Sequence, residues 1–164
     1  MPQYKLRQRL LSFGDDFDIT DADGDAAYHV DGKVFRIRHT SVIEDMDGGE
    51  IATIKQKLIA IRKTMIISRH DETIATIRKA LIAPLRDKFM IDVEGGEALV
   101  AKGSILDHEY VVRRGDEEIA QVSKKWFTIR DTYGVDIAEG EDAGLLLAVV
   151  VAIDELVHEP DDDA

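Results

Sequence analysis

The sequence contains no cysteine, only three prolines and a single tryptophan among its 164 residues. The absence of cysteine excludes disulfide frameworks, zinc sites built on thiolates and cysteine nucleophiles. It also makes the reducing cytoplasm the natural compartment. The opening MPQYKLRQRLL alternates basic and apolar residues and lacks the uninterrupted apolar run of a signal peptide, so we do not expect secretion.

Positive charge is also scarce: 21 lysines and arginines stand against 33 aspartates and glutamates, giving a formal net charge of -12. Proteins that bind nucleic acid usually carry a positive surface, so we expect no nucleic-acid partner. The acidity fits ordinary solubility, and it also fits a surface adapted to high salt. Part of it is terminal, because residues 159–164 read EPDDDA and are expected to form an acidic, disordered tail after a single domain over residues 1–158.

The longest apolar run is AGLLLAVVVAI, from Ala143 to Ile153. As a helix of about 16 Å it would cover only about half of a hydrocarbon core near 30 Å thick, so we expect no transmembrane span. The run is apolar on every side, Asp142 can cap its start, and DELVHE can extend it, which predicts a helix buried all round. The three consecutive valines leave a buried strand as the alternative.

An internal repeat organises the rest of the chain. IATIKQ from Ile51 returns as IATIRK from Ile74 and as IAQVSK from Ile119, with a weaker copy, ALVAKG, from Ala98. Each copy alternates apolar and other residues and leads to a second apolar run, so each copy predicts two strands. Turn signals predict hairpins, and therefore antiparallel neighbours, at Asp23-Gly24, Asp31-Gly32, Asp47-Gly48-Gly49, Gly95-Gly96 and Gly115-Asp116.

This pattern of strands and turns gives roughly a dozen short strands. So many antiparallel strands must protect their edges, and closure into a barrel is the simplest way. A helix buried all round needs walls on all sides. The predicted fold is therefore mainly β, in the α+β class: a closed antiparallel barrel of about 12 strands around a central hydrophobic C-terminal helix. Because the helix occupies the interior, we expect any binding site on the outer wall or the rims.

Four segments in a fixed order carry a resemblance to a known family. They are the opening YKLRQRLLSFGDDFDI, the turn DADGDAAYHVDGK, the repeated IATI strands, and the ending VSKKWFTIRDTYGVDI before the apolar helix. Together they resemble the LURP-one-related family, which looks like a branch of the Tubby C-terminal-like group that also includes phospholipid scramblases. The resemblance implies a Tubby-like barrel of twelve strands around a hydrophobic helix. Tubby domains imply phosphoinositide binding through basic side chains, and scramblases imply action on lipids.

Basic side chains recur with the repeat. When the copies are aligned on Ala52, Ala75, Ala98 and Ala120, three arginines follow the aligned alanines by ten or eleven residues, and His108 takes that place in the weaker copy. With nearby lysines they could present several cations to a phosphate or an anionic lipid headgroup. The alternative is that the arginines brace the rim by pairing with neighbours such as Asp87 and Asp131. The candidate ligand-binding residues are Arg62, Arg86, Arg130, Lys63, Lys88, Lys124 and Lys125.

Two acidic motifs imitate metal or catalytic sites. Residues Asp21, Asp23 and Asp25 match the first three ligands of a calcium loop, but Ala26 stands where that loop needs glycine, so the motif predicts a hairpin turn. The segment 107–109, Asp-His-Glu, is the densest group of potential acids, bases and ligands. Neighbours on a strand point to opposite faces, so the three side chains should not converge, and we expect no metal site.

The chain carries no nucleophile elbow, phosphate loop or dinucleotide fingerprint, so we expect neither enzymatic activity nor a cofactor. Our leading hypothesis is a noncatalytic, cytoplasmic binding module for an anionic phospholipid or a phosphorylated small molecule. A second hypothesis is an interaction scaffold or regulatory protein whose acidic surface meets a basic protein partner. A third is an uncharacterised enzyme that uses His108 and Asp107.

Overall fold

A computed structural model describes residues 3–7, 17–31, 40–59, 62–79, 87–105, 107–125 and 132–158. The described chain forms twelve strands followed by one helix. The elements are β1 Gln3–Arg7, β2 Phe17–Asp21, β3 Ala26–Asp31, β4 Thr40–Asp45, β5 Glu50–Ile59, β6 Arg62–Arg69, β7 Glu72–Lys79, β8 Asp87–Val93, β9 Leu99–Ser104, β10 Glu109–Arg114, β11 Glu117–Ser123, β12 Thr132–Ile137 and α1 Ala143–His158.

The twelve strands form one closed barrel in which every neighbouring pair is antiparallel. Successive strands pair along the chain, and β1 pairs with β12 to complete the ring. Closure leaves no sheet edge open to another chain. The predicted twelve-strand barrel around a central C-terminal helix is therefore confirmed.

The barrel has two distinct ends. We call the end at which α1 begins the entry end and the opposite end the exit end. At the entry end lie residues 138–142, which lead from β12 into α1, and the turns at residues 22–25, 46–49, 70–71, 94–98 and 115–116. At the exit end β6, β8, β10 and β12 begin. The helix runs from the first end to the second: Asp142 contacts Arg69 at the end of β6, and Glu155 accepts a hydrogen bond from Ser41 at the start of β4.

Each copy of the repeat supplies two strands, as predicted, and the two pair antiparallel. The aligned residues Ala52, Ala75 and Ala120 are buried side chains of β5, β7 and β11. The weaker copy is displaced by one residue, because Ala98 is exposed and the inward face of β9 begins at Leu99. A shift of one residue moves every side chain of a strand to the other face, so our alignment of Ala98 is wrong by one position.

Asp-Gly turns close the first hairpins in the way the sequence predicts. The carboxylate of Asp21 accepts the backbone N–H groups of Asp23 and Asp25, both at 3.0 Å, and Asp45 does the same one hairpin later. Turns also form at Gly95-Gly96 and Gly115-Asp116, whereas Gly32 of the predicted Asp31-Gly32 turn lies outside the described residues. The turn at His70 and Asp71 was not predicted, because its φ angles of 51° and 67° are of the kind that usually favours glycine.

The helix is capped and enclosed as predicted. Asp142 accepts the N–H of Leu145 at 3.1 Å, which is the hydrogen bond of an N-cap. From Leu146 to Ile153 every side chain is at most 2% exposed, so the helix is buried on all sides and the alternative of a buried strand is wrong. Among the described residues, no helix is both long and apolar enough to cross a membrane.

Two arginines fix the start of the helix to the wall. Arg114 on β10 donates two hydrogen bonds of 2.8 Å to the carboxylate of Glu141. Arg69 on β6 donates two hydrogen bonds, of 3.0 and 3.2 Å, to the carboxylate of Asp142. The bond from Arg114 holds the pKa of Glu141 below its usual value. Burial raises the pKa of Asp142, but the bonds from Arg69 and the N–H of Leu145 outweigh it and leave that pKa lowered. These interactions therefore favour the charged form of both acids.

The lowered pKa values predict acid sensitivity at the entry end. A carboxyl group whose folded pKa lies below its unfolded value stabilises the fold above the unfolded pKa, and this contribution is lost as the pH falls through the folded pKa. For Glu141 the loss should begin below its ordinary value of 4.5. We expect Glu141→Gln to lower the free energy of unfolding at neutral pH and to flatten its decline in acid, as measured by urea unfolding across pH. Parallel pH curves for wild type and variant would contradict the assignment.

Gly144 allows the helix to approach β5 closely, which gives a second prediction. A Cβ at Gly144 would lie 2.3 Å from Cγ2 of Ile51, a branched methyl that cannot swing away. Helix propensity alone favours alanine over glycine by about 1 kcal/mol. We nevertheless expect Gly144→Ala to lower the free energy of unfolding by about 2 kcal/mol through overpacking.

The matched control for this prediction is the same substitution in an Ile51→Ala background, where the clashing methyl is gone. There Gly144→Ala should cost nothing or stabilise the protein. Urea unfolding of all four proteins gives the coupling energy between the two positions. Equal effects of Gly144→Ala in both backgrounds would show that the close approach does not limit this position.

Candidate functional site

The helix fills the barrel, so the outer wall and the two rims are the surfaces on which a ligand can bind. On the wall the side chains follow strand alternation. Phe89 on β8 and Ala101 on β9 point inward and are at most 1% exposed, and the residues beside them therefore point outward. This alternation decides which of the predicted basic residues face solvent.

The structure describes the side chains of three of the seven predicted basic residues. Lys88 is half-buried on the outer face of β8, and Lys124 and Lys125 follow the end of β11. The backbone positions of Arg62 and Lys63 open β6 at the exit end. Arg86, Arg130 and the acids Asp87 and Asp131 fall outside the described residues or have undescribed side chains, so the recurring arginines and their alternative role in bracing the rim stay predictions.

A pair of lysines faces outward across two adjacent strands. Lys88 on β8 lies directly opposite Lys102 on β9 in the antiparallel register. Side chains in such a pair start about 5 Å apart, and like charges there are destabilising. Among the described residues, neither lysine makes an ion pair. The sequence pointed to Lys88 but missed Lys102, which becomes its neighbour only through the register of the hairpin.

More cations and three apolar side chains surround this pair. Arg78, Met90, Val100 and Arg113 form one cross-strand row, and Lys88, Lys102 and Val111 form the next. We call these seven residues the basic wall. The apolar members are half-buried and the arginines are exposed. Three acids border the wall: Asp92 lies 2.9 Å from Arg78, Glu118 stands opposite Arg113, and Glu109 lies two residues before Val111 on β10. Four cations against three acids leave the wall slightly positive on a protein of strongly negative charge.

Side chains hold the backbone of Lys124 and Lys125, the two lysines that follow β11. The carboxylate of Glu109 accepts the hydroxyl of Ser123 at 2.8 Å and the backbone N–H of Lys124 at 3.0 Å. The hydroxyl oxygen of Ser123 in turn accepts the N–H of Lys125 at 3.1 Å. One acid of β10 therefore holds Ser123 and Lys124 directly, beside the basic wall, and holds Lys125 through Ser123.

The acidic and histidine side chains of segment 107–109 diverge, as predicted. Asp107 is exposed and accepts the hydroxyl of Ser104 at 2.7 Å. Glu109 faces outward to Ser123. His108, with a left-handed φ of 54°, points into the barrel and is fully buried. The three residues cannot act together on one ligand.

Inside the barrel His108 belongs to a cluster that the sequence did not predict. Its Nε2 lies 3.0 Å from Oδ1 of Asp154 on α1, and its ring stacks on Tyr133 with centroids 4.2 Å apart. Tyr133 donates its hydroxyl to the other carboxylate oxygen of Asp154. Tyr110 is buried in the same region. Burial first, and then the charge of Asp154, raises the pKa of both tyrosines well above the ordinary value, so both remain protonated.

This interior cluster of His108, Tyr110, Tyr133 and Asp154 is closed to solvent. The side chains of His108 and Asp154 are both 0% exposed. A substrate has no access to them, so their arrangement serves the fold rather than acid–base chemistry on a ligand. The one signal in the sequence was an aspartate directly after an all-apolar run, which calls for buried partners.

The acidic turn at residues 21–25 forms the hydrogen bonds of a hairpin turn. One carboxylate oxygen of Asp21 accepts hydrogen bonds from the backbone N–H groups of Asp23 and Asp25, as in a hairpin turn. Across the described ranges, no three histidine, aspartate or glutamate side chains come close enough to hold a metal ion.

A small cleft of about 110 Å³ opens at the entry end between the β8–β9 turn and the helix start. Its floor is apolar, and Glu97, Arg114 and Glu141 line its mouth. Because Arg114 and Glu141 are committed to each other, the cleft offers a ligand little unpaired charge. The basic wall is therefore the better candidate site.

Comparison with known proteins supports the fold and gives the family. The sequence profile of the family described as LURP-one-related matches residues 3–154. The uncharacterized protein YxjI of Bacillus subtilis is 26% identical over 97% of this chain and 96% of its own length. Protein LURP-one-related 15 of Arabidopsis thaliana is 24% identical over 93% of this chain and 78% of its own length.

The architecture also matches a solved structure. An X-ray structure of a protein from Arabidopsis thaliana superposes with a TM-score of 0.68 and 19% identity, covering 95% of this chain and 90% of that one. This likeness supports the barrel and its helix. The family profile spans nearly the whole barrel and most of the helix, and the resemblance read from the sequence is confirmed: the chain belongs to the LURP-one-related family.

Proposed function

We propose that this protein is a noncatalytic binding module whose basic wall takes a phosphate-bearing anion, either the headgroup of an anionic lipid or a phosphorylated small molecule. The observation that carries the proposal is the cross-strand pair of Lys88 and Lys102 without an acid between them. Two ammonium groups held side by side repel each other, and a phosphate placed between them would turn that repulsion into two charge-assisted hydrogen bonds.

The charge around the site makes the pair selective for an anion at close range. The net charge of -12 repels anions from most of the surface. Salt screens charges beyond about 8 Å under physiological conditions, so the local cations dominate once a ligand reaches the wall. Binding should therefore weaken as salt rises.

The apolar part of the wall favours a membrane surface over a free ligand. Met90, Val100 and Val111 lie among the cations and are half-buried, so they can sit against the boundary between headgroups and acyl chains. Each lysine or arginine near an anionic bilayer contributes about 1 kcal/mol. Four cations and three apolar side chains on one face give the wall the composition of a weak, reversible membrane contact.

The remaining features fit a module without catalysis. Among the described residues, the histidine nearest the wall in the chain, His108, is sealed inside the barrel with Asp154. The absence of cysteine suits a cytoplasmic location, where the inner leaflet supplies anionic lipids.

Charge reversal tests the wall directly. We expect Lys88→Glu/Lys102→Glu to lower the fraction of protein that floats with vesicles of phosphatidylcholine and phosphatidylserine by at least about tenfold, since two cations become anions. Wild type should bind these vesicles at moderate salt and should not bind vesicles of phosphatidylcholine alone. Addition of phosphoinositide to the anionic vesicles tests a preference for phosphate monoesters.

The control is Lys55→Glu/Lys57→Glu, which makes the same charge change on the exposed outer face of β5. It should leave flotation within about twofold of wild type, because it alters net charge but not the basic wall. Competition with inositol hexakisphosphate separates a soluble phosphorylated ligand from a membrane surface. Equal losses in both double variants, or no binding by wild type to vesicles or to inositol hexakisphosphate, would overturn the proposal.

A further inference from the structure

Two consecutive residues, His108 and Glu109, join the interior of the barrel to its outer surface. His108 points inward and contacts Asp154 of the helix at 3.0 Å. Glu109 points outward and holds the hydroxyl of Ser123 and the N–H of Lys124. The backbone between them is one peptide unit. A displacement of His108 therefore moves the acid that pins the lysine segment.

The inward contact is strong enough to fix the position of His108. Asp154 is 1% exposed at the end of a run of apolar helix residues, and a buried carboxylate is tolerated only when its hydrogen bonds are satisfied. It accepts from Nε2 of His108 and from the hydroxyl of Tyr133. The imidazole is further confined by stacking on the Tyr133 ring. The left-handed backbone at His108 is held by these contacts.

The outward contact has a defined target. Lys124 and Lys125 follow the last residue of β11, where the strand pairing ends at Ser123. In the described chain, their backbone N–H groups are held by Glu109 and by Ser123, not by a neighbouring strand. Their position therefore depends on side chains of β10 and β11 more than on the sheet.

We infer that Asp154, His108 and Tyr133 are positioning residues for the Lys124–Lys125 segment, acting from inside the barrel through Glu109. The helix then does more than fill the barrel, because its buried Asp154 sets the positions of Lys124 and Lys125, two cations available to an anionic ligand. The consequence for binding rests on the proposed function, but the consequence for the segment itself does not.

Hydrogen exchange of the Lys124 amide tests the inference without a ligand. Asp154→Asn removes the charge and replaces one of the two carboxylate oxygens that contact His108 and Tyr133 with an N–H₂ group. We expect the Lys124 amide to exchange about tenfold faster, the effect of losing roughly one hydrogen bond, while the amide of Ile54 in β5 is unchanged. Tyr133→Phe keeps the ring and removes a single donor, so it should give a smaller increase in a protein that folds normally.

The matched control is Glu155→Gln, which removes the same charge from the next helix residue. Glu155 contacts Ser41 on β4, across the barrel from β10. It should leave exchange at Lys124 unchanged. Equal acceleration at Lys124 and Ile54 in Asp154→Asn would show a purely structural role, and unchanged Lys124 exchange in both Asp154→Asn and Tyr133→Phe would also overturn the inference.

Binding to vesicles of phosphatidylcholine and phosphatidylserine supplies the second measurement. Tyr133→Phe should lower the affinity by a few-fold with little change in melting temperature, as a loosened segment would, and Glu155→Gln should not. A Tyr133→Phe protein with faster Lys124 exchange and full affinity would show that the segment is positioned but does not contribute to binding. If wild type does not bind, the proposed function fails, while the exchange data still decide the positioning.

Discussion

The fold depends on one constraint: a helix that is apolar on every side must be removed from water on every side. A single sheet can cover only one face of such a helix, so the strands have to surround it and close. Closure explains why twelve short strands follow one another in simple antiparallel order and why β1 returns to β12. It also explains why the repeat can be a plain hairpin, since each hairpin only has to extend the wall.

The same constraint separates structure from function. Side chains that point inward are committed to the helix, and the charged groups among them are satisfied internally. Arg69 and Arg114 tie down the start of the helix, and His108 and Tyr133 tie down Asp154 near its end. Side chains that point outward do not have to pack against the helix, so like charges such as Lys88 and Lys102 can lie opposite each other on neighbouring strands. The surface, rather than a cavity, is therefore where we propose that recognition takes place.

The fold was predictable because its signals are local. An apolar run predicts a buried helix, and Asp-Gly pairs predict turns whatever the rest of the chain does. The site was only partly predictable because its contacts are not local. Lys88 and Lys102 meet through hairpin register, and His108 meets Asp154 across 46 residues. The repeat alignment placed Ala98 where the structure has Leu99. A shift of one residue is enough to move every side chain of a strand to the other face, so register has to be known to the residue.

The central claim is that the barrel interior is structural and the outer wall binds. The most direct measurement is an amide and methyl NMR titration of the wild-type protein with short-chain phosphatidylserine and with inositol hexakisphosphate. The account predicts that chemical shifts change along β8–β10, at Lys88, Met90, Val100 and Lys102, while Val149 and Val150 of the helix keep theirs. Changes concentrated in the helix and the inward residues would show that the ligand enters the barrel and would contradict the account.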